Sequence, residues 1–312
     1  MRDFALGMKA QPQRRDIQVS GVRLSYLEWG APIAGRPSML MLHGLVAAAE
    51  TFDRLVEHLA ERHVVALDLP GNGLSERRAD IDASFEALSE LVKQFAAAIK
   101  LERPILLGHS HGGALALEIA VADPDWPHAL VLLCPAHPFS RREDRLVSFY
   151  LSAPGRLFAY MLPRLPNWAH LIAFRRMPGN RAHLVSEDIE PYIRTMRTPG
   201  SVAHILRLLG TWNHDMAALK GRLEQAPLMT PAVLLWGDRD MIVPLESAAR
   251  LLPHLGAAEL ISMKGVGHLP NEETPEECAK LIDTWLEWRD SHPKYLHPRE
   301  WIAADRHVLS KT

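Results

Sequence analysis

Pro104-Ile105-Leu106-Leu107-Gly108-His109-Ser110-His111-Gly112-Gly113-Ala114-Leu115-Ala116-Leu117 is the stretch whose reading decides the fold of this chain. A short apolar run leads into a serine flanked by glycines, and a second apolar run leaves it. The first run suits a strand buried on both faces. The second, rich in alanine and leucine, suits a buried helix. A Gly-x-Ser-x-Gly pentapeptide alone also arises by chance at helix starts. Between such a strand and such a helix it describes a sharp turn that lifts the serine above a sheet. Gly108 and Gly112 stand two residues before and after Ser110, where a strained turn leaves little room for side chains. Gly113 lets the helix pack closely on the sheet. The turn also sets Ser110 at a helix N-terminus, where N–H groups favour developing negative charge.

Working outward, the same strand–helix rhythm recurs. Asp16 to Gly30 alternates apolar and polar residues around Gly21 and reads as an antiparallel hairpin at a sheet edge. Met39-Leu40-Met41-Leu42 reads as a buried strand ending in His43-Gly44. Thr51 to Glu61 has helical spacing, with Thr51 placed to cap it. His63 to Leu67 is a strand running into the dense turn Asp68-Leu69-Pro70-Gly71-Asn72-Gly73. Phe85 to Lys100 and His111 to Ala122 are helical, and Ala129 to Leu133 is a strand. The alternation predicts an α/β fold: a mostly parallel, doubly wound sheet with helices on both faces.

The rhythm stops near Ala136. As far as Leu228 the chain reads as helices interrupted by Pro154, Pro163, Pro166, Pro178, Pro191 and Pro199, with no strand pattern. Strand signals return at Ala232 to Trp236 and Glu259 to Met263, with helices near Leu245 to Leu255 and Pro275 to Trp288. The expected organisation is a core of residues 16–135 and 229–290, an inserted all-helical lid at 136–228, an N-terminal extension at 1–15 and a C-terminal tail at 291–312.

A serine hydroxyl is a weak nucleophile at neutral pH and needs an adjacent base. When such a serine sits on a strand-to-helix turn, its acid and histidine follow later in the chain. Both are available after the insert. Trp236-Gly237-Asp238-Arg239-Asp240-Met241-Ile242-Val243-Pro244 leaves one strand at its C-terminal end, and Gly265-Val266-Gly267-His268 leaves the last strand. Asp238 and Asp240 are both candidate acids. Asp240, just before Ile242-Val243-Pro244, is preferred; Asp238 reads as a turn residue or a partner of Arg239. His268 is the candidate base, against the plainer reading of a structural histidine among the chain's 16. An oxyanion hole needs two backbone N–H donors, expected from His111 and from Leu45. Gly44 permits the close backbone approach there, and His43 reads as a loop-packing residue.

Together these pieces resemble the α/β-hydrolase superfamily in its lidded branch. The matching motifs are Leu42-His43-Gly44-Leu45, Asp68 to Ser75, Gly108 to Gly113, Trp236 to Asp240 and Gly267-His268, in family order from about Val19 to Trp288. The resemblance implies acyl transfer to water by Ser110, His268 and Asp240, with no metal and no organic cofactor, as in a carboxylesterase. Haloalkane dehalogenases and epoxide hydrolases carry aspartate at the elbow, so serine argues against both. Carbon–carbon hydrolases of ring-cleavage products share the Ser-Asp-His set, but many carry tryptophan after the histidine where this chain has Leu269. Cofactor-free perhydrolases share the triad and usually lack so long an insert. A non-catalytic receptor or interaction module on the same fold is the reading from a different class.

Composition narrows the partners. The chain has 312 residues, 47% of them apolar, and a formal charge of -2, which does not suit a nucleic-acid-coating protein. No run approaches the roughly 18 apolar residues of a membrane span. Met1 to Arg15 lacks the apolar stretch of a signal peptide. A cytoplasmic protein acting on a small molecule is the resulting expectation, with oligomeric state open. Cys134 and Cys278 are the two cysteines, and a disulfide between them stays open. The insert is rich in aromatic residues and methionine between Phe139 and Met216, some of which should roof an apolar cleft. It holds 12 Arg and 1 Lys against 7 Asp plus Glu, a formal +6, leaving -8 on the remainder. Solvated helix faces account for such a charge; an anionic substrate is the sharper alternative.

Overall fold

The computed structural model describes residues 11–140, 142–174, 179 and 186–291, so the extension before residue 11 and the tail after residue 291 lie outside the described residues. Among the described residues eight strands form one sheet: β1 (Gln13–Val19), β2 (Val22–Trp29), β3 (Met39–Leu42), β4 (Val64–Leu67), β5 (Ile105–His109), β6 (Ala129–Leu133), β7 (Ala232–Gly237) and β8 (Ala258–Met263). Their order is β1-β2-β4-β3-β5-β6-β7-β8. β1 pairs antiparallel with β2, and β2 with β4; every pairing from β4 to β8 is parallel. β3 to β7 are buried at every position. Strands covered on both faces cannot alternate polar and apolar residues, which is why they read as continuous apolar runs.

The helices are α1 (Asp53–His58), α2 (Phe85–Ala98), α3 (His111–Ala122), α4 (Arg142–Leu151), α5 (Ala153–Met161), α6 (Asn167–Phe174), α7 (Ser186–Arg197), α8 (Ser201–Gln225), α9 (Ala248–Leu251), α10 (Pro270–Glu273) and α11 (Pro275–Ser291). One face of the sheet packs against α2, α3 and part of α8 through Phe95, Leu115 and Leu219; the other packs against α1 and α11 through Leu55 and Ile282. That two-faced cover is the doubly wound arrangement the alternation predicts. Between β6 and β7 the chain leaves the sheet, and α4 to α8 form the inserted helical region. A smaller apolar cluster, including Phe174, Ile189, Tyr192 and Met196 with Ala47, lies under α7.

Local departures from the sequence reading have local causes. β1 starts at Gln13 rather than near Asp16, because its edge position leaves polar residues on the ladder; Gln13 pairs with Glu28 and Arg14 with Leu27. Arg14 then reaches the fully buried Asp68 at 2.7 Å. Thr51 does not cap α1. It sits inside a 3-10 turn, Ala49–Phe52, and its hydroxyl donates to the Ala48 carbonyl at 2.8 Å. The helix expected near 245–255 is shortened to α9 between two 3-10 turns. Pro253 lies in the second turn and cannot continue an α-helical hydrogen-bond ladder. Both cysteines are free and buried. No helix of the described residues is long and apolar enough to cross a membrane.

Candidate active site

Ser110 joins β5 to α3 with φ +50 and ψ -114, a backbone region that L-residues seldom occupy. The turn is held by its own peptide. Ser110 N–H donates to Leu133 O at 3.0 Å, and Ser110 O accepts from Gly113, Ala114 and Ala136 at 2.9, 3.1 and 3.0 Å. The flanking glycines are required sterically. A Cβ on Gly108 would stand 2.4 Å from Gly112 O, and one on Gly112 would stand 2.1 Å from Leu42 O. The serine thereby emerges at the C-terminal ends of the parallel strands, where the loops after β3, β7 and β8 converge.

Two of those loops bring their polar residues to it. His268 Nε2 lies 2.9 Å from Ser110 Oγ, and His268 Nδ1 lies 2.8 Å from Asp240 Oδ2. Asp240 is aimed by its other oxygen, which accepts the N–H groups of Ile242 at 2.8 Å and Val243 at 2.9 Å. The buried Trp236 closes the same loop by donating its indole N–H to Val243 O at 2.9 Å. An ionised carboxylate only accepts, so hydrogen-bond matching assigns the imidazole proton to Nδ1 and leaves Nε2 facing the hydroxyl. The side chains of Asp240 and His268 are 0% and 2% exposed, so their charges are shielded from bulk water.

Asp238 goes elsewhere. Its Oδ1 accepts the N–H of Gly265 at 2.7 Å, bracing the turn that leads to His268. Cys134 stands beside the carboxylate, with Sγ donating to Gly267 O at 3.6 Å. Potential ligand atoms of Cys134, Asp240 and His268 lie within 4.8 Å of one another. A metal held by all three would have to displace the Asp240–His268 hydrogen bond.

Two supports were not visible in the sequence. Glu273, on the short helix α10, takes the N–H of Gly267 at 2.9 Å and that of Leu269 at 3.1 Å. It thus grips the backbone on both sides of His268. Its Oε2 also accepts Gly179 N–H at 2.8 Å, tying the inserted region to this loop. His109 donates its Nε2–H to His268 O at 2.8 Å. Burial, with His268 nearby, pushes the His109 imidazole down to about 3, so it stays a neutral strut. A glutamate five residues after a histidine carries no recognisable signal without the turn that folds it back.

The loop after β3 forms the opposite wall. His43 is structural: Nδ1 donates to Gly44 O at 2.8 Å, and Nε2 accepts Leu69 N–H at 3.0 Å. Burial lowers its pKa and keeps it neutral. Gly44, Leu45, Val46 and His111 line one cavity with Ser110 and His268. Val46 has φ +66, an outlier for a β-branched residue, and its strain lies in the loop beside the serine.

That cavity has a volume of about 320 Å³. Above the serine it is walled by Val147 and Tyr150 of α4, Ala159 of α5, Phe174 of α6, Tyr192 and Met196 of α7, and Leu209 and Trp212 of α8. Among the described residues that line it there is no arginine or lysine. Four of the described arginines of the insert are engaged in packing the helices: Arg194 with Glu50 at 2.9 Å, Arg222 with Glu118, Arg197 with the carbonyls of Pro163 and Leu165, and Arg207 with that of Arg78. Tyr192 also donates its hydroxyl to Glu272 at 3.0 Å, a carboxyl that burial raises to about 8.

The family model described as "Alpha/beta hydrolase family" matches residues 39–281. The uncharacterised hydrolase YugF of Bacillus subtilis is 28% identical over 285 residues, covering 89% of this chain and 100% of that protein. Epoxide hydrolase 4 of Mus musculus is 28% identical over 269 residues, covering 80% of this chain and 70% of that protein. Among solved structures, Cfl2 of Burkholderia cenocepacia superposes with a TM-score of 0.77 at 22% identity, covering 91% of this chain and 97% of that one.

Proposed function

The chain belongs to the alpha/beta hydrolase family, and from that premise we propose that it is a serine hydrolase cleaving carboxylic esters of small, uncharged, largely apolar acyl groups through an acyl-enzyme on Ser110. The observation that carries this reading is the unbroken sequence of hydrogen bonds from Ser110 Oγ through His268 to Asp240, at 2.9 and 2.8 Å, on the floor of an apolar cavity.

In this mechanism Ser110 Oγ attacks the ester carbonyl while His268 Nε2 takes its proton. Asp240 holds the imidazole in the required tautomer and stabilises the imidazolium. The carbonyl oxygen, now an anion, is received by the backbone N–H groups of Leu45 and His111. His268 protonates the leaving alkoxide, the C–O bond breaks, and the acyl group remains on Ser110. A water then gives a proton to His268 and attacks the acyl carbon, releasing the acid and restoring the serine. The serine hydroxyl supports ester chemistry over epoxide or carbon–halogen cleavage through an aspartate nucleophile. The described lining residues, none of them lysine or arginine, support an uncharged acyl group over an anionic one.

Turnover of p-nitrophenyl butyrate by the wild type and by Ser110→Ala tests the reading. Loss of turnover in the variant, with wild-type labelling at Ser110 by an alkyl phosphonate, is the expected result. Equal rates in the two proteins would overturn it.

A further inference from the structure

We propose that the outward face of α5 and α6 docks this protein on an anionic lipid surface. Six of the eleven large apolar side chains exposed among the described residues fall within these two helices: Leu157, Phe158, Tyr160, Met161, Trp168 and Ile172. Leu157 is 67% exposed and Trp168 66%. Their spacing gathers them on one side of each helix. Leu157, Tyr160 and Met161 stand at i, i+3 and i+4 on α5, and Trp168 and Ile172 at i and i+4 on α6.

The same helices already bury another side. Ala159 and Phe174 line the cavity, and His170 is buried. A helix of a water-surrounded protein normally turns charged residues outward once its inner face is covered. Here the outer side is apolar again, and a concentration of this kind marks an interaction surface rather than scattered exposure.

Charge selects the partner. Residues 153–174, which span both helices, carry two arginines and no aspartate or glutamate, against a formal -8 on the chain outside 136–228. Arg156 and Arg164, both exposed, stand in the same run as the apolar residues. Tryptophan and tyrosine, each with an apolar body and a polar tip, suit the headgroup boundary. Arginine extends from an apolar stem to a cationic end that anionic headgroups attract. Aromatic, aliphatic and cationic side chains on one face are the requirements for lying on a bilayer without crossing it. The docked face and the cavity wall would then be two sides of α5.

Flotation with vesicles of phosphatidylcholine, alone or mixed with phosphatidylglycerol, tests the proposal. It uses the full chain as wild type, as Leu157→Ser/Trp168→Ser/Ile172→Ser and as Arg156→Glu/Arg164→Glu, with thermal melting as the check on folding. Wild type should float with the phosphatidylglycerol vesicles, about tenfold more than with phosphatidylcholine alone, and high salt should release it. Each variant should lose about tenfold in that binding. The assay is repeated on Ser110→Ala, which should float like wild type, so failure of the catalytic reading and failure of docking are separately visible. No wild-type flotation, equal flotation on the two vesicle types, or retention by both variants would overturn it. So would sedimentation showing a wild-type dimer that the serine variant dissociates without any vesicle binding, which assigns the face to a second copy.

Discussion

Asp238 and Gly265 are joined by a 2.7 Å hydrogen bond from the glycine N–H to the aspartate Oδ1, and this bond keeps Asp238 off the imidazole that Asp240 touches. Two carboxylates two residues apart therefore hold different loops. One braces the turn after β8, and the other orients His268.

This division separates the two asparagine variants. On the serine-hydrolase reading, Asp240→Asn should lower kcat by about ten-thousand-fold, because the amide favours the wrong imidazole tautomer. Asp238→Asn keeps an oxygen for Gly265 and should stay within about threefold of wild type. Steady-state ester hydrolysis by the two variants measures the contrast, and the reverse order would exchange their roles.

Glu273 makes a different kind of prediction, since it touches backbone on both sides of His268 and not the reacting atoms. Glu273→Gln sets an NH2 group against N–H donors. A displaced loop should cost kcat about tenfold to a hundredfold with little change in KM. Glu273→Asp, which keeps both acceptor oxygens on a shorter stem, should recover part of the loss. A change confined to melting temperature, with kcat intact, would mark the residue as structural only.

Glu272 sets a pH dependence of stability. Burial raises its carboxyl from 4.5 to about 8, so the folded protein holds this proton more tightly than the unfolded chain. The resulting stabilisation is complete below the unfolded value, falls as pH rises, and is lost once pH passes about 8. Glu272→Gln keeps a carbonyl for the Tyr192 hydroxyl and has no proton to lose. Between roughly pH 6 and pH 9 the wild type should therefore lose several degrees of Tm more than the variant. Glu259, raised by burial to about 7, acts with the same sign in both proteins and cancels in the comparison. Parallel melting curves across that range would refute the assignment.

The cavity wall at α5 predicts chain-length selectivity. Ala159→Phe adds a ring where the lining is small and buried. KM for a p-nitrophenyl octanoate should rise about tenfold while the acetate stays within about twofold, with a stability loss of about 1–3 kcal/mol from overpacking. Equal effects on the two esters would place acyl binding elsewhere.

Much of this architecture was legible locally. The buried runs of β3 and β5, the glycines around Ser110, and the return of strand signals at Ala232 each depend on a few neighbouring residues. Covered strands need apolar side chains on both faces, and a strained turn needs glycine. The start of β1 was not legible, because an edge strand tolerates polar residues such as Gln13 and Arg14 that erase the alternation. The supports at His109 and Glu273 were not legible either. Their partners are backbone groups, and a backbone N–H has no residue type.

From the sequence alone came the α/β rhythm, the helical insert, and the serine with a choice of acids and a histidine in the right chain order. Only the tertiary structure decided that Asp240 and not Asp238 meets His268, and that Tyr150, Tyr192 and Trp212 wall the cavity over Ser110. It likewise turned Leu157 and Trp168 outward, where a list of apolar residues would have placed them in a core. The physical reason is range. Periodicity and turn chemistry act over a few residues, whereas a hydrogen bond between residues 240 and 268, or the side of a helix left uncovered, is set by the angle at which distant segments pack.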